Sequence, residues 1–292
     1  MELIIKNLAT LLLAVASTCN LAASTNPLVP HVGMADPHVH VFNNSLFMYS
    51  THDLIEEGAS GCCSGDWWIW TAPFPDGPWK NVTMKSDPAW TPRGLEHQNW
   101  ATDAAERNGK YYWYVSIGGD QVAVFQAPTP IGPWSDPLGH FLLSHGERLS
   151  PPSNIRDPGV LQDDDGKYYI VFGACSGANQ PDDTCYYLAE LNEDMISTKP
   201  PVHLSVKGAF GHYGYGKADD KPFLHKRKGL YYLSWGPFYA TSDSVYGPYD
   251  YRGCIISPER GFIEDSFMVF PNTSAKDEQQ QPWYAQKLYS DR

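Results

Sequence analysis

A short aromatic pattern recurs along the chain and restricts the folds that the chain can adopt. A turn residue and a glycine precede paired tyrosines and alternating apolar residues in NGKYYWYVS, which starts at Asn108, DGKYYIVFG, at Asp165, and KGLYYLSWG, at Lys228. NNSLFMYST, which starts at Asn43, is a variant, and we interpret QQPWYAQKL, at Gln280, as a degraded last copy. Each segment is typical of a tight turn that leads into a β-strand.

A Gly-Pro motif follows the hairpins in APFPDGPW, APTPIGPW and TSDSVYGPY, which start at Ala72, Ala127 and Thr241. Such pairs favour turns. Successive copies of the aromatic pattern lie roughly 50 to 65 residues apart, which fits four strands with their loops. Helical periodicity is nearly absent. The sequence therefore predicts an all-β, five-bladed β-propeller over residues 31–292, with a β-sandwich containing fortuitous repeats as the alternative.

The charge and the N-terminus indicate where the protein works. The formal net charge is −12 and no basic cluster exceeds the KRK at Lys226, which argues against nucleic acids and anionic membranes as partners. The apolar run at residues 8–16 is too short to span a bilayer, so it predicts a signal peptide over residues 1–23 and a secreted protein. Sequons at Asn43, Asn81 and Asn272 are typical of a secreted glycoprotein.

The six cysteines agree with an oxidising compartment. Cys175 and Cys185 flank a polar segment that a disulfide between them would close, and free thiols are the other arrangement. No Cys-x-x-Cys pair or histidine spacing is typical of a zinc site, so no metal ligand set is predicted.

Acidic residues stand in phase with the repeats. Asp36 and Asp157 each precede a proline and a short apolar strand that enters a repeat hairpin, and Asp219 and Asp220 stand before Lys221-Pro222 in the same way. If the equivalent strand of each blade lines the central channel, these carboxyl groups meet at one mouth of it. Carboxyl groups facing one another across a bond are what glycoside hydrolysis requires.

Several motifs in order resemble the glycoside hydrolases of family 43: ADPHVHVFN, WATDAAERNGKYYWYVS, IRDPGVLQDDDGKYYIVFG, LNEDMIS, HKRKGLYYLSW and YATSDSVYGPY. That family consists of five-bladed propellers acting on arabinose- and xylose-containing plant polysaccharides. The resemblance implies that Asp36 is the general base, that Asp157 tunes and orients the acid, and that Asp220 occupies the position of the general acid.

The chain departs from the family pattern at two places. The family acid is a glutamate, and the shorter Asp220 would withdraw its carboxyl group by about 1 Å, beside the ammonium group of Lys221. In the last blade, Glu264 and Asp265 stand where the family usually carries a histidine, which leaves open a structural cation at the propeller axis or a substitute acid. No cofactor is expected to be required. The end of the chain at Arg292 leaves open an incomplete last blade.

Four further residues are predicted to bind the substrate: His38, His52, Trp100 and Arg156. The resemblance places the histidines beside the pocket, and we interpret His38, His40 and His52 as polar pocket wall rather than as metal ligands. Indole rings stack on the apolar faces of sugars, and Trp100 is preferred over the three tryptophans between residues 67 and 70.

Three hypotheses for the function follow. The first is an inverting O-glycosyl hydrolase that cleaves α-L-arabinofuranosyl or β-D-xylosyl bonds in plant oligo- or polysaccharides. The second is a glycan-binding propeller whose catalysis is impaired by the aspartate at position 220. The third is a retaining enzyme of the invertase type with Asp36 as nucleophile, although the chain lacks the Asn-Asp-Pro-Asn-Gly signature of that group.

Overall fold

A computed structural model describes residues 28–29, 32–53, 64–84, 99–118, 120–144, 155–174, 184–211, 214–215, 221–254, 262–264 and 267–269. All regular structure in these ranges is β, and the described part of the chain contains no helix long and apolar enough to cross a membrane. The prediction of an all-β fold is confirmed.

The strands form four antiparallel blades, each hydrogen-bonded in chain order. The first blade consists of β1 (Met34–Phe42), β2 (Ser45–Asp53), β3 (Ser64–Ala72) and β4 (Lys80–Asn81). The second consists of β5 (Asn99–Arg107), β6 (Lys110–Ile117), β7 (Gln121–Ala127) and β8 (Leu143–Ser144).

The third blade consists of β9 (Gly159–Gln162), β10 (Tyr168–Phe172), β11 (Tyr187–Leu191) and β12 (Val202–His203). The fourth consists of β16 (Phe223–Arg227), β17 (Leu230–Trp235), β18 (Phe238–Ser242) and β19 (Tyr249–Cys254), and β13 (Val206–Lys207) joins its outer edge in parallel with β19. Short hairpins are formed by β14 (Phe210–Gly211) with β15 (Gly214–Tyr215) and by β20 (Phe262–Glu264) with β21 (Phe267–Val269).

The aromatic repeats form the first hairpin of each blade, as predicted. The turn residues Asn108 and Gly109 both have positive φ, 55° and 74°, and the turns at residues 43–44 and 228–229 share this geometry. It matches the twist of antiparallel strands, and Asn and Gly accept it at low cost. The first strands, β1, β5, β9 and β16, contact one another in turn and are the inner strands of the propeller.

Packed aromatic side chains join neighbouring blades. Trp67 and Trp113 lie edge to face between the first two blades with their ring centroids 5.9 Å apart, and Trp235 packs on Tyr186 between the last two. Burying each such side chain stabilises the fold by about 2–3 kcal/mol. The Gly-Pro motifs lie at the turn after the third strand of the first, second and fourth blades, each with a cis peptide.

The number of blades differs from the prediction. The described residues form four blades rather than five, and only the two-stranded β20–β21 hairpin follows them. The signal peptide, Cys175, Asn272 and the last repeat copy at Gln280 fall outside the described residues. The disulfide between Cys175 and Cys185 therefore stays a prediction.

Candidate active site

A backbone kink lies at or next to the start of three of the four inner strands. Asp36, Asp157 and Lys221 each precede a proline and have left-handed φ values of 49°, 57° and 55°. This conformation is uncommon for residues other than glycine, and proline disfavours it further in the residue before it. In the first blade the kink interrupts the pairing of β1 with β2 between Ala35 and His38. Such strained positions concentrate at functional sites.

The three kinks meet around Gly159. A methyl group on this glycine would lie 3.0 Å from the carbonyl oxygen of Pro222 and 3.5 Å from Cε1 of His38. Gly159 follows Asp157 by two residues, as His38 follows Asp36. The ring of His38 also packs edge to face on Phe223, with the centroids 5.0 Å apart. The inner strands that follow the three kinks therefore converge at one end of the channel.

The Asp157 kink is held by the neighbouring blade. The backbone N–H of Asp157 donates to the hydroxyl of Ser116 at 2.7 Å, and Asp157 itself is 5% exposed. The carbonyl of the preceding residue, Arg156, accepts the N–H of Gly173 at 2.7 Å. The Arg156 side chain is half-buried, and its role in substrate binding stays a prediction.

Lys221 is buried at the head of the fourth inner strand. Its side chain turns toward the third blade, where the ammonium group donates to the carbonyl oxygen of Pro158 at 3.0 Å. This bond ties the Lys221 kink to the Asp157 kink. Asp219 and Asp220 lie outside the described residues, so the role of Asp220 as the acid stays a prediction.

His52 lies at the end of β2, where it pairs with Met34, two residues before Asp36. Its Nδ1 donates to the carboxylate of Asp66 at 2.6 Å, and its ring stacks on Trp68 with the centroids 3.7 Å apart. All three side chains are half-buried. They form a polar and aromatic surface beside the strand that carries Asp36, and the role of His52 in substrate binding stays a prediction.

The tryptophans divide between the core and the site. Trp67 is fully buried and donates its indole N–H to the carbonyl of Trp100 at 2.6 Å, so Trp67 is a core residue. Trp100 is half-buried at the head of β5, and Trp68 is half-buried against His52. These two rings are the tryptophans of the predicted set that remain available to a sugar.

Asp103, on β5, is a residue that the sequence analysis missed. Its carboxylate is fully buried and lies 3.0 Å from Nδ1 of His38 and 2.5 Å from Nε2 of His40. Burial alone would raise the pKa of Asp103, but the two histidines outweigh it and hold that pKa well below its ordinary value. A lone acid in the apolar stretch ATDAA was the available signal, because a buried carboxylate requires partners.

These partners bear on the predicted site. The side chain of His38 has no exposed surface, so the structure places it beneath the pocket wall rather than on its surface. The group of His38, His40 and Asp103 also has the residue types of a metal site. Ligand atoms around a tetrahedral ion with bonds of 2.0–2.1 Å would lie about 3.3 Å apart, which is wider than the 2.5 Å between His40 and Asp103. The distances between the histidine nitrogens and the Asp103 oxygens are those of polar groups in direct contact, with no ion between them.

The chain is similar to known glycoside hydrolases. The family model of the glycosyl hydrolases family 43 matches residues 79–251. A xylosidase/arabinosidase of Bacteroides ovatus is 28% identical over 282 residues, which cover 83% of this chain and 84% of that protein.

Solved structures give the same result. A β-xylosidase/α-arabinofuranosidase from a compost microbial metagenome, in complex with xylotriose and in a calcium-free form, has a TM-score of 0.65 and 28% identity, covering 85% of this chain and 86% of that one. A family 43 enzyme of Xanthomonas citri, complexed with xylotriose, has a TM-score of 0.65 and 27% identity, covering 85% and 81%.

The segment matched by the family model is more than half of the chain and contains two of the three kinks, at Asp157 and Lys221, together with the buried Asp103. The propeller arrangement is shared with the solved relatives. The chain belongs to the glycosyl hydrolases of family 43 and is an O-glycosyl hydrolase.

Proposed function

We propose that the protein is an inverting glycosidase that cleaves β-D-xylosyl or α-L-arabinofuranosyl bonds in plant-type oligo- and polysaccharides. The observation that carries this proposal is the convergence of the Asp36, Asp157 and Lys221 kinks around Gly159. It brings strands from three blades to one place, so that carboxyl groups distant in sequence can face a single glycosidic bond.

The proposed mechanism divides the work among three carboxyl groups. Asp36 accepts a proton from a water molecule, which attacks the anomeric carbon from the face opposite the leaving group. Asp220 protonates the leaving oxygen, and the buried Asp157 orients it and tunes its pKa. The hydrogen bond that the Asp157 N–H donates to the Ser116 hydroxyl fixes the backbone that carries this carboxyl group before substrate arrives.

The substrate class rests on the relatives and on the surface around Asp36. The Bacteroides ovatus relative is named a xylosidase/arabinosidase, and two solved relatives were captured with xylotriose. The stacked rings of His52 and Trp68 and the ring of Trp100 offer apolar faces beside polar groups, which suits neutral sugars.

Closure of the propeller by a fifth blade is part of the proposal. The face of the first blade turned away from the second carries Met34, Met48 and Trp70, all buried or nearly so. The face of the fourth blade turned away from the third carries half-buried stacked rings of His225 and Tyr232. Two apolar faces of this kind suit a blade between them, which residues 255–292 would supply.

Secretion and a structural cation are also proposed. Asn43 and Asn81 are exposed, as glycan acceptors must be, which supports the secretion predicted from the N-terminus. The side chains of Glu264 and Asp265 lie outside those described, and one solved relative is specified as a calcium-free form. A cation at the axis would be held by such carboxylates and would serve the fold rather than the proton transfers.

A substrate panel tests the proposed activity. We expect turnover of aryl β-D-xylosides or aryl α-L-arabinofuranosides, and of xylan or arabinan, by the purified protein. Asp36→Asn serves as the control because the amide is isosteric with the carboxyl group but cannot accept the proton. It should abolish turnover while leaving the melting temperature within a few degrees of the unchanged protein. Turnover equal to that of the unchanged protein would remove Asp36 from the mechanism.

The alternative, a glycan-binding propeller with impaired catalysis, is favoured by the aspartate at position 220 and predicts weak turnover. Asp220→Glu should then raise turnover of unactivated glycosides by about tenfold, because it restores reach toward the leaving oxygen. Aryl glycosides with good leaving groups need little protonation and should respond less. If Asp220→Glu and Asp220→Ala both leave turnover unchanged, Asp220 is not the acid.

A further inference from the structure

Asp103 lies one layer beneath the proposed catalytic carboxyl groups. Three inner-strand residues occupy the same position relative to the hairpin turn of their blade. They stand six residues before the second turn residue: His38 before Asn44, Asp103 before Gly109 and Phe223 before Gly229. His38 and Phe223 each stand two residues after a kink, as Gly159 does in the third blade. His38 contacts Asp103 and Phe223 and lies against Gly159, and we call these four positions the support layer.

Asp103 is the polar centre of the support layer. Its Oδ1 accepts a hydrogen bond from Nε2 of His40 at 2.5 Å and one from the N–H of Ala104 at 2.7 Å. Its Oδ2 accepts the N–H of Val160 at 2.6 Å and lies 3.0 Å from Nδ1 of His38. Three of the described contacts of this carboxylate are hydrogen bonds, and the fourth is the close approach of the His38 ring.

The contacts join the strands that carry the proposed base and modulator. His38 and His40 belong to β1, which begins beside Asp36, and Val160 belongs to β9, which begins two residues after Asp157. His38 then contacts Phe223 at the start of β16. One carboxylate thus fixes the first and third inner strands directly and reaches the fourth through an imidazole ring.

Packing alone does not explain a carboxylate at this place. Taking an ionised group out of water costs several kcal/mol, and an apolar side chain of similar volume would fill the space without that cost. What an apolar side chain would not supply is a fixed distance between strands. Catalytic groups must be held within roughly 0.5 Å of the productive geometry.

We propose that Asp103 is a positioning residue, which acts through His38, His40 and the Val160 amide to set the separation of the Asp36 and Asp157 carboxyl groups. This inference rests on the roles proposed above for Asp36 and Asp157. It assigns Asp103 no proton transfer, because its described contacts are with two histidines and two backbone N–H groups, none of which is a proposed catalytic group.

Asp103→Asn tests the inference. The amide keeps the volume of the side chain but places an NH₂ group against N–H donors on one side. The inner strands that Asp103 joins should therefore move apart. Because a shift of about 1 Å in a catalytic group costs on the order of 100-fold in rate, kcat should fall by roughly 10- to 100-fold. KM should change by less than about threefold, since the sugar-binding surface is untouched.

Asp163→Asn is the matched control. Asp163 is also a buried carboxylate that joins two blades, since Lys226 and Tyr231 of the fourth blade donate to it at 2.5 Å each. It lies at the opposite end of β9 from Asp157. Its loss should lower the melting temperature while kcat stays within about twofold of the unchanged protein. Equal losses of kcat in the two variants would overturn the inference in favour of a general effect of stability.

Crystal structures of both variants separate this inference from the proposed function. The distance between the Asp36 and Asp157 carboxyl groups should change by about 0.5 Å or more in Asp103→Asn and stay constant in Asp163→Asn. A wild-type protein inactive toward every pentoside would refute the proposed substrates, and this distance would still decide the role of Asp103. An unchanged distance in Asp103→Asn would overturn the inference.

A second pair of variants tests the inference even if Asp103→Asn does not fold. His38→Asn keeps an N–H donor close to the position of Nδ1, whereas His38→Leu removes it and keeps an apolar side chain of similar reach. We expect His38→Leu to lose at least tenfold in kcat and His38→Asn to recover most of it. Similar kcat values in the two His38 variants would contradict the inference.

Discussion

At the scale of single residues, Lys221 is the unusual feature of the site. A lysine is rarely buried and rarely adopts left-handed backbone, yet Lys221 is 3% exposed with φ of 55°. Its ammonium group bonds the Pro158 carbonyl, directly after the Asp157 carboxyl group. This bond holds the Lys221 side chain next to the backbone that carries Asp157, in the region where the proposed mechanism holds its carboxyl groups.

Lys221→Met should shift the optimum of the pH–rate profile to higher pH, by roughly half a unit. A nearby ammonium group favours the ionised form of carboxyl groups. Its removal makes their ionisation harder, so both limbs of the pH–rate profile should move to higher pH. The measurement is kcat/KM on an aryl pentoside between pH 3 and pH 8. Lys228→Met, in the exposed turn at the other end of β16, removes the same charge and should leave the profile in place. Identical profiles for the two variants would contradict this role of Lys221.

The site residues differ in how far sequence could predict them. Asp36 and Asp157 could be singled out as candidates because each stands before a proline, seven and eight residues ahead of the repeats that start at Asn43 and Asp165. The burial of His38 could not be found, since strand alternation gives the face of a side chain but not the blade that covers it. Asp103 was missed for a related reason: its partners, at positions 38, 40 and 160, are distant in sequence.

At the scale of elements, a polar joint between the third and fourth blades complements the aromatic packing. Asp163 directly follows β9 and accepts hydrogen bonds from Lys226 and Tyr231. The Lys226 ammonium group also lies over the Tyr231 ring, 4.9 Å from its centroid. Burial alone would raise the pKa of Asp163, but these bonds outweigh it and hold that pKa below its ordinary value. Asp163 thus belongs to the hairpin turn of the third blade and also joins that blade to the fourth.

Asp163→Asn should lower the melting temperature by about 2–5 °C near neutral pH, because the bonds to an ionised carboxylate are lost. Since the pKa of Asp163 is lower in the folded state, its contribution to stability is complete above the unfolded value of about 3.9 and is lost as the pH falls further. The difference in melting temperature should thus be constant from pH 5 to pH 7 and shrink below about pH 4.

Asp164→Asn is the control for this joint. The Asp164 side chain is 81% exposed and lies 3.2 Å from the Lys226 ammonium group, so it forms a surface ion pair of little energetic value. Its loss should change the melting temperature by less than about 1 °C. A larger loss at Asp164 than at Asp163, or a difference at Asp163 that grows in acid, would contradict the account of the joint.

At the scale of the whole molecule, the propeller brings short inner strands from successive blades to one axis. The repeats predicted these strands because Asn-Gly and Lys-Gly turns with alternating aromatic residues are local signals. The described residues form four blades, since the segment that would supply the fifth lies mostly outside them. What the propeller contributes to function is the convergence of the kinks at residues 36, 157 and 221.

The stereochemistry of the first product tests the central claim most directly. An aryl β-D-xyloside, or an aryl α-L-arabinofuranoside if that is the faster substrate, is mixed with the protein in the NMR tube and the anomeric protons are followed through the first minutes, before mutarotation. With Asp36 as the base for an attacking water, the first sugar released should have inverted configuration, α-D-xylose or β-L-arabinofuranose. A first product with retained configuration would show that a carboxyl group attacks the sugar directly, and would contradict the mechanism proposed for this site.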